Sequence, residues 1–379
     1  MSMQRSRAGI DRCPSNHRFV LRVLTLLAMA VPAAAQDRVP ARALGPREAV
    51  ATETFSQVRG FRELSDGRLI ISDQRERKLV LLDLVRQTAT HVGRPGPGPG
   101  EHQLATDLLP TASDTTLLID VGRGTENLSI ITADGRIDGS VRLPDGASST
   151  YLWGADRAGV LYFSVRTIRT DPSEPAPDSA SVMRVDLTRN QAAIGFRFRA
   201  TPRDPRAPNP YNPGVQWTIA PDGRVAIVDF EPYQVTWIAP DGRRTVGPRI
   251  PFDPIPVTRR DREEFRELAR RISGLGQGGV STTGRRAAAP PEPAFPSHKP
   301  PFFGNDAVMV APNGDLWVRR AQPAGEDAQV HDIIDGAGRR IATITLPPNT
   351  KLLDLGQHGA YLARYDEDDL IHIERYRYP

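Results

Sequence analysis

Residues 220–227 read APDGRVAI, a tight turn followed by a strand of alternating apolar side chains. Residues 311–318 repeat this phrase as APNGDLWV, and residues 64–71 repeat it as LSDGRLII. Asp-Gly and Asn-Gly supply the positive φ angles that a tight hairpin needs. The phrase therefore predicts a β-hairpin wherever it occurs.

Three weaker copies of the phrase lie at 112–119, 158–163 and 357–362. Three of the five intervals between successive turns are close to the ~40–45 residues of a four-stranded propeller blade. A hairpin that recurs at such spacing indicates radial repetition. The chain is therefore predicted to be an all-β protein, a six-bladed β-propeller.

The last predicted blade has only three strands, at 351–355, 359–365 and 370–376. The segment 48–55 precedes the first blade and has no partner in it. We therefore expect this segment to supply the missing outer strand and to close the ring. Trimming either end should then destabilise the whole propeller.

Long excursions interrupt the repeat at 170–180, 200–213 and 252–303. In a propeller, the loops from second to third strand and from blade to blade emerge on one face, here named the insertion face. The turns from first to second and from third to fourth strand emerge on the opposite face, here named the turn face. All three excursions fall on the insertion face, where we expect function because binding commonly resides in loops on a rigid scaffold.

The N-terminus has the layout of a secretory signal peptide, with arginines, then the apolar run 23–31, then small residues. The apolar run is well short of the ~20 residues that span a bilayer. We expect a bacterial protein, secreted or periplasmic, with no membrane span after cleavage. Residues 1–35 are predicted to be the signal peptide, residues 36–46 a linker and residues 47–379 the propeller. Within the propeller, residues 251–303 are predicted to form a helical or disordered insertion between blades four and five.

The charge and cysteine content narrow the possible functions. The formal net charge of +4 arises mostly from five arginines within residues 1–35, so the mature chain is close to neutral. This removes the electrostatic argument for a nucleic-acid partner. The single cysteine, Cys13, also lies in the predicted signal peptide. The mature chain therefore has no disulfide, no thiolate metal ligand and no cysteine nucleophile.

The largest insertion has internal order. Residues 258–261 (TRRD) fit a variant capping box. Apolar residues then recur at helical spacing, and Gly274 can end the helix. A lid over the channel mouth and a helix packed on the rim are both compatible with this pattern.

Residues 93–102 read GRPGPGPGEH and link the first blade to the second. Together with Asp73, residues 77–80 (RKLV) and Asp83, this segment resembles bacterial six-bladed propellers of the TolB-like and NHL-repeat type. Those often carry a Gly-x-Gly-Pro-Gly-Glu linker and an Asp…Arg-(Ile/Leu)-x-x-(Phe/Leu)-Asp blade. The resemblance spans roughly 47–379 and implies the fold. It implies no single activity, because the group includes binding modules and enzymes.

Carboxylates occur where several second strands end on the insertion face, at Asp73, Asp120 and Asp229. Oxygen ligands from several blades could bind Ca²⁺ or another divalent cation. The alternative function is therefore a metal-assisted hydrolase or lactonase at the central channel, with these three aspartates as ligands and with Glu101 and His102 beside them. Equally, each aspartate could bind its own turn or pair with a nearby arginine.

The sequence contains neither a nucleophile elbow nor a zinc-protease motif. We therefore predict a monomeric, non-enzymatic propeller without a cofactor, which binds a protein, peptide or glycan on the insertion face. Tyr211, in a proline-rich loop, is expected to be exposed and to be the best single contact residue. The candidate binding residues are Asp73, Arg75, Glu101, His102, Asp120, Arg123, Tyr211, Asp229, Glu231 and Arg319.

Overall fold

The computed structural model describes residues 39–111, 113–165, 179–199, 209–212, 214–276, 293–304 and 306–379, with 268–276 described by their backbone alone. The predicted signal peptide and most of the predicted excursions at 170–180 and 200–213 lie outside these residues. Within them the chain is built almost entirely of strands, with one α-helix and two short 3-10 turns, Val121–Arg123 and Ser149–Tyr151.

Two strands precede the blades, β1 (Ala41–Ala43) and β2 (Arg47–Phe55). Four antiparallel sheets of four consecutive strands follow. Blade one comprises β3 (Val58–Glu63), β4 (Leu69–Asp73), β5 (Lys78–Asp83) and β6 (Thr88–His91). Blade two comprises β7 (Ala105–Pro110), β8 (Thr116–Asp120), β9 (Asn127–Ile131) and β10 (Ile137–Arg142). Blade three comprises β11 (Leu152–Ala155), β12 (Val160–Val165), β13 (Ser179–Asp186) and β14 (Gln191–Arg199). Blade four comprises β15 (Gln216–Ile219), β16 (Val225–Phe230), β17 (Tyr233–Ile238) and β18 (Arg244–Val246).

The insertion comes next, with a two-stranded pair around a helix: β19 (Ile255–Pro256), α1 (Arg259–Gly276) and β20 (His298–Lys299). Blade five comprises β21 (Val308–Val310), β22 (Leu316–Arg319), β23 (Val330–Ile334) and β24 (Arg340–Thr345). Blade six comprises β25 (Thr350–Leu355), β26 (Ala360–Tyr365) and β27 (Ile371–Tyr376). The six-bladed propeller is therefore confirmed.

The N-terminal segment closes the ring as expected. Strand β2 pairs antiparallel with β27 and completes blade six, from Arg47 opposite Tyr376 to Phe55 opposite Ile371. The structure adds one strand within the segment predicted as a linker: β1 pairs parallel with β24, so blade five has five strands. The N-terminus thus joins two neighbouring blades.

The core consists of apolar clusters between blades rather than one central core. Strand β4 (LIISD) is buried along its whole length because both of its faces are covered. Leu69 and Ile71 pack in a cluster with blade six, whereas Ile70 packs toward blade two. Successive side chains of a strand point to opposite faces, so each blade is held between its two neighbours.

The repeated phrase forms hairpin turns as predicted. Gly223 and Gly314 adopt φ angles of 81° and 89°, the left-handed region that favours glycine. The Asp222 carboxylate accepts a hydrogen bond of 3.1 Å from Arg224 N, which fixes the turn. Glycine and aspartate thus each contribute to the same reversal of the chain.

The capping box is also present. Thr258 N donates to Asp261 Oδ2 at 2.7 Å, and Asp261 N donates back to Thr258 Oγ1 at 3.4 Å. Helix α1 continues two residues past Gly274, to Gly276. Among the described residues, no helix is long and apolar enough to cross a membrane.

Candidate functional site

A cavity of about 590 Å³ opens at the propeller axis on the turn face. The innermost strand of every blade contributes to its wall, and each of the six first-to-second turns contributes to its rim. One rim residue from each turn, in blade order, is Ser65, Ser113, Arg157, Pro221, Pro312 and Gln357. The volume falls in the ~300–1,000 Å³ range that holds small molecules.

Part of the cavity wall is apolar. Phe61, Ile219 and Met309 come from three different inner strands and line it. Each is only half-buried, since one side packs against an inter-blade cluster and the other faces the cavity. The cavity therefore offers apolar surface that no described residue covers.

The rim is held by contacts between adjacent turns. The Asp114 carboxylate of blade two accepts hydrogen bonds from Ser65 N, at 3.0 Å, and from Ser65 Oγ. In the same way, Arg157 N donates to Pro221 O at 3.0 Å, across blades three and four. These bonds join neighbouring blades at the mouth and fix its outline before any ligand arrives.

Glu63 joins the first blade to the last. This buried carboxylate accepts hydrogen bonds from Gln357 N, from His358 N at 3.1 Å, from His358 Nδ1 at 2.9 Å and from the Tyr361 hydroxyl. A side chain at Gly356 would collide with it, so the turn needs glycine at that position. Four donors therefore occupy the Glu63 carboxylate.

Two arginines of the cavity have donors without a partner. Arg62 Nε is buried, and no described residue accepts a hydrogen bond from it. Burial lowers the pKa of Arg62, while Asp114, Asp354 and Glu63 raise it and Arg157 lowers it further. The exposed Arg157 side chain has no ion pair or hydrogen bond with any described residue. Two guanidinium groups thus interact within one cavity.

Asp354 lies on the innermost strand of blade six and also lines the cavity. Its Oδ1 accepts a 2.9 Å hydrogen bond from Leu355 N. Burial, and next the Glu63 charge, raise its pKa to about 6, against the lowering effect of that backbone bond and of Arg62. A carboxyl group with such a pKa in a cleft is typical of functional sites.

On the insertion face, two predicted aspartates bind backbone amides. Asp73, 1% exposed, accepts from Gln57 N at 3.2 Å and from Glu76 N at 3.0 Å. Asp120, 2% exposed, accepts from Gln103 N at 2.9 Å and from Leu104 N at 2.7 Å. Each aspartate therefore fastens the loop beside its own strand, which is the structural alternative that the sequence left open.

The linker between blades one and two is bound in the same way. Glu101 accepts from Arg94 Nε at 2.6 Å and from Gly98 N at 2.7 Å. Arg123 Nη2 donates to the carbonyl oxygen of Gly98 at 2.6 Å. His102 is 1% exposed, and burial lowers its pKa. These three candidates hold the glycine-proline linker in place.

The other candidates are spread over the insertion face. Burial raises the pKa of the half-buried Asp229. Arg75 and Glu231 are exposed. Arg319 forms a two-pronged ion pair with Asp306, at 2.8 and 3.2 Å. The structure thus places the predicted set at separate positions along the blades.

The expected exposure of Tyr211 is wrong. The side chain is 8% exposed and packs edge-on against Phe303, with ring centroids 5.0 Å apart. Lys299 Nζ lies 5.2 Å from the centre of its ring, and Phe295 lies at 6.2 Å. The end of the insertion covers this loop, so Tyr211 serves as a packing residue. Burial raises its pKa to about 12.

The alternative metal site is not assembled. Among the described residues, no group of three His, Cys, Asp or Glu side chains could hold a metal ion. Backbone amides already occupy the carboxylates of Asp73 and Asp120. The described residues therefore give no support to a Ca²⁺ site at the three aspartates, and we derive no metal-dependent step from one.

The cavity residues Arg62, Arg157 and Asp354 were not among the predicted candidates. Arg62 and Asp354 each stand two residues before the turn of the repeated phrase, at the end of an innermost strand. A charged residue at that position is the signal that could have indicated them. The prediction looked instead to the long loops.

Comparisons with known proteins give remote likenesses. No family model matches the chain, and no curated protein matches it. Regucalcin from Agrobacterium tumefaciens, described as calcium-binding, is 14% identical, with 89% of this chain and 97% of that chain covered and a TM-score of 0.43. A member of the DUF4221 family from Bacteroides vulgatus is 9% identical, with 88% and 99% covered and a TM-score of 0.48. Virginiamycin B lyase from Staphylococcus aureus is 11% identical, with 86% and 87% covered and a TM-score of 0.37. The fold assignment rests on the strand order of this chain, and no activity is taken from these proteins.

Proposed function

We propose that this protein is a secreted or periplasmic binding propeller that takes a small molecule into the cavity on its turn face. The observation that carries the proposal is the cavity itself, to which all six blades contribute and whose rim is fixed by bonds between turns. A preorganised concave site loses little entropy on binding. Binding without catalysis, by a monomer, is the simplest function for such a site.

The proposal moves the expected site from one face to the other. On the insertion face, most of the charged candidates bind their own loops, and Tyr211 is buried. Recognition of a protein, peptide or glycan there stays a prediction that depends on the exposed Arg75 and Glu231. The cavity presents half-buried apolar surface and the exposed Arg157 guanidinium at one concave place.

Two further parts of the proposal rest on the sequence. The export of the protein rests on the signal-peptide layout of residues 1–35. Membership of the TolB-like or NHL-repeat type rests on the glycine-proline linker of residues 93–102 and the blade pattern before it.

The proposal is tested by filling the cavity with a larger side chain and measuring whether the protein still binds a small molecule. Thr218 on β15 lines the cavity, so Thr218→Trp places an indole ring at its wall. The control is Thr90→Trp, the same change at an exposed position of the outer strand β6. Each protein is incubated with the low-molecular-mass fraction of a bacterial envelope extract and examined by native mass spectrometry.

We expect a bound mass on the natural protein and on Thr90→Trp, and its loss from Thr218→Trp. Circular dichroism and thermal melting establish that both variants are folded. The same bound mass on all three proteins would place the ligand elsewhere, and no bound mass on the natural protein would contradict the proposal.

A further inference from the structure

We propose that the ligand of the central cavity is an organic carboxylate with an apolar body, whose carboxylate is bound by Arg62 and Arg157. This inference rests on the proposed function and adds the chemical class of the ligand. Three observations support it: the distribution of charge in the cavity, the unpartnered arginine donors, and the apolar wall beneath them.

The charge distribution comes first. Five charged residues line the cavity: Arg62, Arg157, Glu63, Asp114 and Asp354. Donors from blade six occupy the Glu63 carboxylate, and Ser65 occupies that of Asp114. Asp354 Oδ1 accepts a hydrogen bond from Leu355 N at 2.9 Å, and burial raises the pKa of this carboxyl group. The two arginines are therefore the charged groups of the cavity whose partners are incomplete.

The arginine donors indicate the shape of the missing partner. A buried donor without an acceptor is costly, and Arg62 Nε is one. A guanidinium group presents its N–H donors in a planar fork that matches a carboxylate, and such paired bonds are about twice as strong as neutral ones. A ligand carboxylate in the cavity would pair with the exposed Arg157 fork and would relieve the repulsion between the two cations.

The apolar side chains of the wall favour a ligand whose remaining part is apolar. Phe61, Ile219 and Met309 present apolar surface from three sides of the cavity. Burying apolar area contributes about 25 cal/mol per Å², so an aromatic or branched ligand body gains affinity there. Asp354 adds a hydrogen-bonding group beside Arg62, suited to a hydroxyl or amino group near the ligand's carboxylate.

A phosphate would also satisfy two arginines. The apolar wall and the three nearby carboxyl groups favour a singly charged carboxylate over a phosphate dianion. We therefore argue for the carboxylate and include inorganic phosphate as a rival in the test.

The experiment uses one probe and three relatives of it. The probe is 3-phenyllactate, which has a carboxylate, a neighbouring hydroxyl and an aromatic ring. Its amide, 3-phenyllactamide, removes the charge; lactate removes the ring; inorganic phosphate replaces the carboxylate. Binding of each to the full chain is measured by calorimetric titration at constant ionic strength.

We expect 3-phenyllactate to bind at least tenfold more tightly than its amide and than lactate. Arg157→Gln should weaken 3-phenyllactate binding by tenfold or more with no loss of fold, because that side chain is exposed. The control is Arg243→Gln, in a third-to-fourth turn of the same face, where Arg243 pairs with Asp241 at 2.8 Å outside the cavity. It should change binding by less than twofold.

Equal binding of the acid and the amide would overturn the carboxylate assignment. So would equal effects of the two arginine substitutions, tighter binding of phosphate, or no binding of any probe at millimolar concentration. None of these outcomes contradicts the proposed function as long as Thr218→Trp abolishes binding of the molecule that the natural protein binds from the envelope extract. Conversely, if 3-phenyllactate binds Thr218→Trp as well as the natural protein, the cavity itself is not the site.

Discussion

The two faces of the propeller differ in how their loops are held. On the turn face, short turns bind to their neighbours around the axis and surround a cavity. On the insertion face, the described loops fold back on the blades, as Asp120 shows by binding two amides of the linker before it. On the face with the longer loops, several of the charged groups are thus occupied by their own loops.

The contrast between the two faces follows from the length of their loops. A long loop can bend until its polar groups find partners within it, which buried polar groups require. A two-residue turn cannot, so a charged side chain at the end of the adjoining strand depends on what lies across the axis. Arg62 illustrates this, because its buried Nε has no acceptor among the described residues. Loop length alone is thus a poor guide to the binding face of a propeller.

The largest expected effect comes from opening the ring, on which both faces depend. A chain that begins at Ser56 lacks β1 and β2 and exposes the cluster in which Phe55 is 0% exposed. We expect the loss of cooperative thermal unfolding, measured by circular dichroism. The single change Phe55→Ala should lower the free energy of unfolding by about 3–5 kcal/mol.

The matched control is a chain that begins at Val39, which keeps both strands. It should melt as the full chain does. If the chain from Ser56 still unfolds in one sharp transition near the original temperature, blade six does not need β2 and the ring is not closed by it.

The second prediction tests whether the two faces are independent of each other. Lys299 is 5% exposed, pairs with the buried Asp261 and donates to the carbonyl oxygen of Gln322 at 2.6 Å. Lys299→Met leaves Asp261 as a buried charge without its partner, at a cost of about 3–5 kcal/mol. We expect faster hydrogen exchange in α1 and a lower melting temperature, with 3-phenyllactate binding unchanged below that temperature.

Arg259→Met serves as the control, because Arg259 belongs to the same helix and, among the described residues, its side chain pairs with Glu263 alone, on the exposed surface. It should leave both measurements unchanged. A loss of ligand binding in Lys299→Met would mean that the insertion supports the cavity, and the two faces would then not be independent.

Much of the fold could be predicted because its signals are local. Asp-Gly turns and apolar strands identified all six first hairpins, and the count of strands left 48–55 as the closing strand. Strand β1 escaped prediction because its three residues are all exposed and carry no apolar pattern. Its pairing with blade five depends on a distant parallel neighbour.

The site could not be predicted in the same way. Arg62 and Asp354 are far apart in the sequence and meet only because the ring closes between blade six and blade one. The burial of Tyr211 likewise depends on Phe303 and Lys299, which reach it from the insertion. No local pattern contains either contact.

The third effect concerns the pH dependence of the cavity. Burial and Glu63 raise the pKa of Asp354 to about 6, so in the folded protein its carboxyl group is neutral below that pH and ionised above it. The groups that face it are Glu63, Arg62 and Tyr378. Because the unfolded carboxyl group has a pKa near ~4, its contribution to stability is complete below that pH and is lost as the pH rises through about 6. Asp354→Asn stays neutral and should avoid this loss.

We therefore expect urea unfolding to show equal stability of Asp354→Asn and the natural protein near pH 4. The variant should be more stable by on the order of 2 kcal/mol at pH 8. Asp368→Asn, which removes an exposed carboxylate far from the axis, should show no such trend. A constant difference between pH 4 and pH 8 would mean that Asp354 ionises as it does in water.

The smallest expected effect comes from comparing two turns of the turn face, both of which contain the sequence Asp-Gly-Arg. Arg68, in a first-to-second turn, reaches the next blade and donates to Ala133 O at 2.9 Å, with 27% of its side chain exposed. The side chain of Arg136, in a third-to-fourth turn, is 71% exposed and pairs with Asp134 alone among the described residues. Because a hydrogen bond between blades contributes about 1 kcal/mol, Arg68→Ala should lower the free energy of urea unfolding by that amount. Arg136→Ala should leave the free energy of unfolding unchanged within experimental error, because exposed ion pairs generally contribute little.

Equal values for the two variants would show that the first-to-second turns are no more firmly joined than the third-to-fourth turns. The proposal of a rigid rim around the cavity would then lose its support.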